Sequence, residues 1–264
     1  MKTLLGLLAA TVVFGQAGPP SVTNGRVETR AFSGNLASQL SVSQATWIGY
    51  AIKTRRGDHG DCCWDGGNCH SSSANPIQLE GSDTIALLFR VDSNRIERIR
   101  AYPLACSLDT GGLPFVWIAA VPAAQSVAVL RDLVHAESSQ HIENQAVFAL
   151  SLHDDPSALD ALIALAKADP SAHVREQALF WLAQKAGARA VATIANAIEN
   201  DPDTGVKKKA VFALSQLPHE EGVPKLIEIA RTQRNPVVRK QAFFWLGQSK
   251  DPRALAFFEQ VLAR

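Results

Sequence analysis

Four cysteines and a histidine near the N-terminus are the residues best suited to chemistry. Cys62, Cys63, Cys69 and His70 lie in a stretch that also contains aspartates and a second histidine, and Cys106 follows later. In an exported chain, an even number of cysteines predicts disulfides, here two. One of the three possible pairings joins the neighbours Cys62 and Cys63 and is strained. The other two divide these neighbours between Cys69 and Cys106.

The same residues offer two other chemistries. Thiolate and imidazole groups are common ligands of zinc and copper, and a close pair of cysteines can act as a reactive dithiol. The spacing disfavours both, because there is no C-x-x-C motif and five residues separate Cys63 from Cys69. We therefore predict disulfides and no metal. A metal- or thiol-redox-handling protein centred on Cys62, Cys63, Cys69 and His70 is the alternative.

No other catalytic arrangement stands out. The sequence contains no phosphate-binding loop, dinucleotide-binding motif, nucleophile elbow or H-E-x-x-H zinc motif. His141 and His173 share one position of an internal repeat, but Gly205 and Val237 follow there, which indicates a tolerant surface position. We predict no catalytic residue and no cofactor, and we expect that the chain is not an enzyme.

The N-terminus has the pattern of a secretory signal peptide. A basic start at Lys2 precedes an apolar run and the small residues Gly15 and Ala17. We expect cleavage after residue 17, a loose leader over 18–30, and a periplasmic or secreted protein. With 26 basic and 25 acidic side chains, the charge is too balanced to predict nucleic-acid binding. The apolar run is too short to predict a membrane span.

An internal repeat dominates the second half of the chain. Ala146, Ala178, Ala210 and Ala242 stand 32 residues apart, each inside a similar motif. Every period contains two amphipathic helical patterns, and such pairs must stack to bury their apolar faces, which predicts a solenoid over 122–264. Helix starts are predicted at N-caps followed by proline. These are Asp155-Pro156, Asp169-Pro170, Asp201-Pro202, Asn235-Pro236 and Asp251-Pro252.

Tryptophan alternates with alanine after the phenylalanine of each motif. The residues in order are Ala149, Trp181, Ala213 and Trp245. We predict that each large ring packs in the core beside an alanine, because close packing requires a constant interior volume. An exposed aromatic platform is the alternative.

Residues 31–121 lack the repeat and form a separate, small β-rich disulfide domain in our prediction. The stretch from Trp47 to Lys53 is typical of a strand. A hairpin is predicted from Thr84 to Asp92 and from Arg95 to Tyr102, with its turn at Ser93-Asn94.

The repeats resemble short bacterial HEAT repeats. Asp169-Pro170, followed by Val174-Arg175 and Ala178, carries this resemblance over 122–264, and the whole chain is similar to exported bacterial HEAT-repeat domain-containing proteins. The implied fold class is mainly α, a HEAT-like α-solenoid of helix pairs preceded by the small β-rich, cysteine-containing domain. The resemblance also implies an Asp–Arg ladder, with Glu143 standing where the first repeat should carry arginine. The implied pairs are Asp169 with Arg175, Asp201 with Lys207, and Asn235 with Arg239.

Partner binding is the function that the resemblance implies. We predict a non-enzymatic exported scaffold whose solenoid binds a protein or peptide, with a HEAT-like lyase-type enzyme as a second alternative to the metal or thiol protein. Helical phase places a set of residues opposite the buried stripe. In the competing interpretation, Lys167, Glu199 and Arg231 merely form ion pairs between repeats. The predicted partner-binding residues are Asp132, His135, Lys167, Asn196, Glu199, Glu228, Arg231 and Gln260.

Overall fold

The computed structural model describes residues 17–54, 63–64, 68–69, 83–136, 139–185 and 187–263. A β-sheet region precedes an array of helices. The fold is therefore mixed, rather than mainly α as the repeats predicted. Residues 1–16 of the predicted signal peptide lie outside the described residues.

A five-stranded sheet is the centre of the N-terminal region. Its strand order is β2-β9-β3-β6-β7, and two short pairings, β1 with β8 and β4 with β5, are separate from it. The strands are β1 (Val22–Thr23), β2 (Val27–Ala31), β3 (Thr46–Lys53), β4 (Cys63–Trp64), β5 (Asn68–Cys69), β6 (Thr84–Asp92), β7 (Arg95–Pro103), β8 (Leu108–Asp109) and β9 (Phe115–Ala119).

The predicted strand and hairpin are confirmed. Strand β3 includes the predicted stretch, and β6 pairs with β7 antiparallel across a turn at Ser93 and Asn94. Both turn residues have positive φ angles, 49° and 60°, as a tight two-residue hairpin requires. On β6, Leu87 and Phe89 belong to the cluster that includes the helices, whereas Leu88 belongs to a second cluster on the other face of the sheet.

Residues 18–30 are not a loose leader, which corrects the prediction. They contain β1 and most of β2, and β2 pairs parallel with β9, with Val27 opposite Phe115. All five side chains of β2 are exposed. Because an exposed edge strand needs no apolar alternation, its sequence carried no strand pattern.

Ten helices are described. Those from α2 onward form two layers, with α3, α5, α7 and α9 in one and the even-numbered helices in the other. The repeated alanines of the odd-numbered helices are completely buried. The helices are α1 (Leu36–Gln39), α2 (Ala123–His135), α3 (Gln140–Leu152), α4 (Pro156–Ala168), α5 (Ala172–Lys185), α6 (Ala188–Asn200), α7 (Thr204–Ser215), α8 (His219–Thr232), α9 (Pro236–Gln248) and α10 (Pro252–Leu262).

Three of the five predicted N-caps are confirmed. Asp155, Asn235 and Asp251 accept hydrogen bonds from backbone N–H groups at the start of α4, α9 and α10, each with proline next. The other two predictions are wrong, because Asp169 and Asp201 are the C-cap residues of α4 and α6. Their prolines lie in the connections to the next helices.

Each tryptophan packs against a phenylalanine of the preceding odd-numbered helix. The ring centroids of Phe148 and Trp181 are 4.8 Å apart, and those of Phe212 and Trp245 are 5.0 Å apart. The alternating alanines are buried, whereas both tryptophans are only partly buried at the edge of the core. The rings therefore cover the outer edge of the core rather than fill its centre.

A buried polar chain joins the sheet to the helices. The Tyr50 hydroxyl lies 2.8 Å from Ser126 Oγ, which lies 2.8 Å from His153 Nε2. His153 Nδ1 lies 2.9 Å from the carbonyl oxygen of Ala149. A carbonyl only accepts, so Nδ1 carries a proton, and in the neutral ring Nε2 accepts from Ser126, which in turn accepts from Tyr50.

Burial controls the ionisation of this chain. It lowers the pKa of His153 to about 4, and the nearby positive charge of Lys185 acts in the same direction. It also raises the pKa of the Tyr50 hydroxyl. Both groups are therefore neutral at pH 7. Since Tyr50 and Ser126 are 0% exposed and His153 is 3% exposed, these hydrogen bonds connect the sheet to the first helices in a region closed to solvent.

Candidate functional site

The predicted binding residues all lie exposed on the even-numbered helices. Each of these helices buries its apolar stripe against the odd-numbered layer, so positions on the opposite side face solvent. Asp132 and His135 are on α2, Lys167 on α4, Asn196 and Glu199 on α6, Glu228 and Arg231 on α8, and Gln260 on α10. We call these eight residues the even-helix surface. That it binds a partner stays a prediction.

Two adjoining depressions lie between α4 and α6. Lys167, Thr193 and Asn196 line both depressions. Their volumes are about 470 and 270 Å³. The smaller one also reaches Asp169 and Asp201 at the C-terminal ends of the two helices. The structure thus brings two residues predicted from helical phase to one groove.

The charges predicted to pair between repeats do not pair with one another. Arg231 Nη2 donates to Gln260 Oε1 at 2.8 Å, and Glu199 Oε1 accepts from Gln233 at 3.3 Å. Lys167 forms no ion pair within the part of the chain that the structure describes. The interpretation as ion pairs between Lys167, Glu199 and Arg231 is therefore not what the structure shows.

A further cavity of about 470 Å³ opens where the sheet meets the first helices. Leu40, Ile96 and Val129 give it an apolar lining, and Asp132 of the even-helix surface stands among its polar residues. The sequence contained no signal for this cavity, because its wall combines α1, the β6–β7 turn, α2 and the start of α3.

The ladder connects successive repeats, which corrects the implied pairing of Asp169 with Arg175. Arg175 Nε and Nη2 donate to the carboxylate of Asp201, at 2.7 and 3.0 Å. Nη1 donates to the carbonyl oxygen of Asp169 at 2.8 Å. One guanidinium thus joins the C-terminal ends of α4 and α6, and its contact with Asp201 raises its pKa.

The implied pairs of Asp201 with Lys207 and of Asn235 with Arg239 are also wrong. Lys207 Nζ donates to the carbonyl oxygen of Glu199 at 2.7 Å. Arg239 Nη1 donates to the carbonyl oxygen of Gln233 at 3.2 Å. Gln233, not Asn235, occupies the register of Asp169 and Asp201, and its side chain accepts from the N–H of Asn235 at 3.1 Å.

The cysteine predictions fall largely outside the described residues. The backbone register places Cys63 opposite Cys69, and Cys106 is buried in the sheet's second cluster. The side chains of Cys62, Cys63, Cys69 and His70 are not among those described. Among the described residues, no group of three or more His, Cys, Asp or Glu side chains is arranged to hold a metal ion.

Comparison with known proteins identifies HEAT repeats in this chain. A family model of HEAT repeats matches residues 159–244 and 191–264. No curated protein matches the sequence. Among the described helices, none is long and apolar enough to cross a membrane.

Two similar solved structures contain enzymes. Human deoxyhypusine hydroxylase in complex with glycerol is 24% identical, with 53% of this chain and 46% of that chain covered, at a TM-score of 0.38. The CpcE–CpcF complex of phycocyanin lyase from Nostoc sp. PCC7120 is 22% identical, with 48% and 88% covered, at a TM-score of 0.34. The chain thus spans about half the length of the hydroxylase.

The prediction that this chain is not an enzyme does not stand. It depended on missing motifs, and the two similar structures are named as those of a hydroxylase and a lyase. The absence of a known motif does not exclude catalysis. Neither activity is assigned to this chain.

Proposed function

We propose that this chain binds a protein or peptide partner along the even-helix surface. The observation that carries the proposal is the pair of adjoining depressions between α4 and α6, where Lys167 and Asn196 lie together. HEAT repeats over 159–264 support it, because stacked repeats create extended surfaces that suit an elongated partner.

The side chains indicate the kind of contact. Exposed acidic, basic and amide groups alternate from helix to helix along this surface, with Asp132 at one end and Gln260 at the other. Large apolar side chains are absent among the eight residues. Such a surface favours a polar interface whose hydrogen bonds and charges select the partner and its register.

Site-specific photo-crosslinking tests the proposal. A photoreactive amino acid is placed at Asn196 on α6, and in a second protein at Gln184, an exposed residue of α5 in the other layer. We expect a discrete crosslinked partner from position 196 and none from position 184. Asn196→Arg combined with Glu228→Arg should abolish its capture, because two new cations oppose the contact.

A matched control uses the opposite layer. Gln184→Arg combined with Gln248→Arg likewise introduces two arginines, at exposed positions of α5 and α9, and should leave capture unchanged. Equal capture by the Asn196/Glu228 double variant would refute this surface. Crosslinking from position 184 alone would do the same.

We also propose export, with the mature chain beginning at Gly18, and two disulfides in the N-terminal domain. The register of Cys63 opposite Cys69 supports a bond between these two and leaves Cys62 for Cys106. Peptide mass mapping after alkylation without reductant should find both linked pairs. Four alkylated thiols would refute the disulfides, and a stoichiometric zinc or copper ion would favour the metal site instead.

A further inference from the structure

A buried guanidinium completes one rung of the ladder. The side chains of Arg175 and Asp201 are 9% and 4% exposed and meet through two hydrogen bonds. Asp201 Oδ1 also accepts from the N–H of Asp203 at 2.9 Å. Both carboxylate oxygens of Asp201 are therefore satisfied, and the bidentate pairing is the strongest form of this contact.

The preceding rung has the equivalent aspartate, but a glutamate stands at the position of the arginine. Glu143 precedes Arg175 by one period, and Asp169 precedes Asp201 by one period. Asp169 Oδ1 keeps the equivalent bond, from the N–H of Ser171 at 2.9 Å. Within the described residues, its Oδ2 is buried and accepts no hydrogen bond, and the same is true of Glu143 Oε1. Since the Asp169 side chain is only 1% exposed, an oxygen here that accepts no hydrogen bond carries a considerable free-energy cost.

Two histidines stand next to these oxygens without satisfying them. His135 Nε2 is 3.5 Å from Asp169 Oδ2, and His173 Nε2 is 3.7 Å from Glu143 Oε1. His173 instead bonds with Asn144 Oδ1 at 2.7 Å. The His135 side chain is 53% exposed and can turn away from Asp169. A hydrogen-bonding cation is the group that would satisfy such carboxylate oxygens, as Arg175 does for Asp201.

We propose that this rung receives a guanidinium group from the partner, an arginine side chain that pairs with Asp169 and Glu143. The inference rests on the proposed function, because His135 and Lys167 of the even-helix surface flank Asp169. Lys167 lines the same depression as Asp169 and forms no described ion pair with it. Arginine fits better than lysine, because its planar fork donates to two acceptors at once, as Arg175 does one repeat later.

Titration with short peptides tests this rung directly. Acetyl-Gly-Arg-Gly-amide is added at pH 8, and the imidazole NMR signals of His135 and His173 are followed. We expect saturable shifts with a Kd on the order of 1 mM, which corresponds to about 4 kcal/mol of binding free energy. The citrulline peptide, which lacks the charge, should cause none, and the lysine peptide should bind several-fold more weakly.

Two substitutions act on the rung itself. Asp169→Asn keeps the acceptor for Ser171 and removes the charge, and it should weaken binding at least tenfold. Glu143→Arg supplies the guanidinium from within the chain, so it should abolish binding and raise the thermal midpoint by roughly 2–4 °C. Glu259→Gln removes an exposed carboxylate of α10 that does not belong to the even-helix surface and should change neither property.

The outcomes separate this inference from the proposed function. Unchanged peptide binding in Asp169→Asn, or equal binding of the citrulline peptide, would overturn the guanidinium site even if Glu143→Arg did not fold. If Glu143→Arg still captures the crosslinked partner fully, the even-helix surface binds without this rung. That result would refute the guanidinium site and leave the proposed function intact. If the peptide binds as expected and the Asn196/Glu228 variant still captures the partner, the rung stands and the even-helix surface is refuted.

Discussion

Replacing His153 should remove a defined part of the pH dependence of stability. Burial lowers the pKa of His153 from 6.5 to about 4. The unfolded chain therefore takes up a proton near pH 6.5, whereas the folded chain takes it up only near pH 4. The contribution of His153 to the free energy of unfolding is complete above pH 6.5 and is lost as the pH falls through this window. A difference of about 2.5 pH units, at about 1.4 kcal/mol each, amounts to about 3 kcal/mol.

The physical reason is the direction of the hydrogen bonds. A proton on His153 Nε2 would point at Ser126 Oγ, so the Ser126 hydroxyl proton would lose its acceptor in a buried site. The charge of Lys185, whose Nζ donates to the carbonyl oxygen of His153 at 2.9 Å, opposes the same proton. Protonation thus disrupts the contact between the sheet and the helices.

Urea unfolding between pH 7.5 and pH 4.5 measures the effect. His153→Gln keeps a hydrogen-bonding side chain but cannot ionise, so its stability should fall less steeply with decreasing pH than that of the natural chain. His141→Gln is the control, because His141 is exposed and its change should leave the profile intact. Parallel profiles for the natural chain and His153→Gln would refute the reasoning.

Three other predictions concern the helical array. Arg175→Ala should cost about 3–5 kcal/mol of unfolding free energy in urea titrations, because Asp201 is left buried and unpaired, whereas Lys207→Ala at the same register should cost under about 1 kcal/mol. Gly222→Ala should destabilise the protein by about 1–3 kcal/mol, because the added Cβ would clash with the carbonyl oxygen of Leu214. Gly247→Ala should instead stabilise the protein by up to about 1 kcal/mol, because the added Cβ would have its nearest neighbour at 3.9 Å. Thermal melts check both variants, since the midpoint should fall for Gly222→Ala and rise for Gly247→Ala. Deleting residues 235–264 should expose apolar surface of α7 and α8 and lower the thermal midpoint in circular dichroism, and an unchanged midpoint would contradict a cooperative array.

The sequence predicted what is repeated or alternates. The 32-residue period located the helix pairs because buried alanines recur in register, and strand β6 was found from its alternating apolar residues. Strand β2 was missed because its pairing uses the backbone and its side chains are all exposed. The ladder was assigned within one repeat, whereas Arg175 pairs with Asp201 of the next repeat. Spacing along the chain does not show which repeat supplies the partner of an arginine. Exposure of the eight surface residues followed from helical phase, whereas the grooves between helices depend on how far apart neighbouring helices stand.

The ring pairs have a consequence for how this array can change in length. Phe148 with Trp181, and Phe212 with Trp245, each join an alanine-bearing helix to a tryptophan-bearing one. Removal of a single 32-residue period containing Ala213 would bring Trp181 and Trp245 onto neighbouring helices, where two indoles would compete for the space of one. Removal or duplication of 64 residues would restore the order of small and large residues. Length variants of this protein that remain well packed should therefore differ by whole pairs of repeats, so that the inherited unit is four helices rather than two.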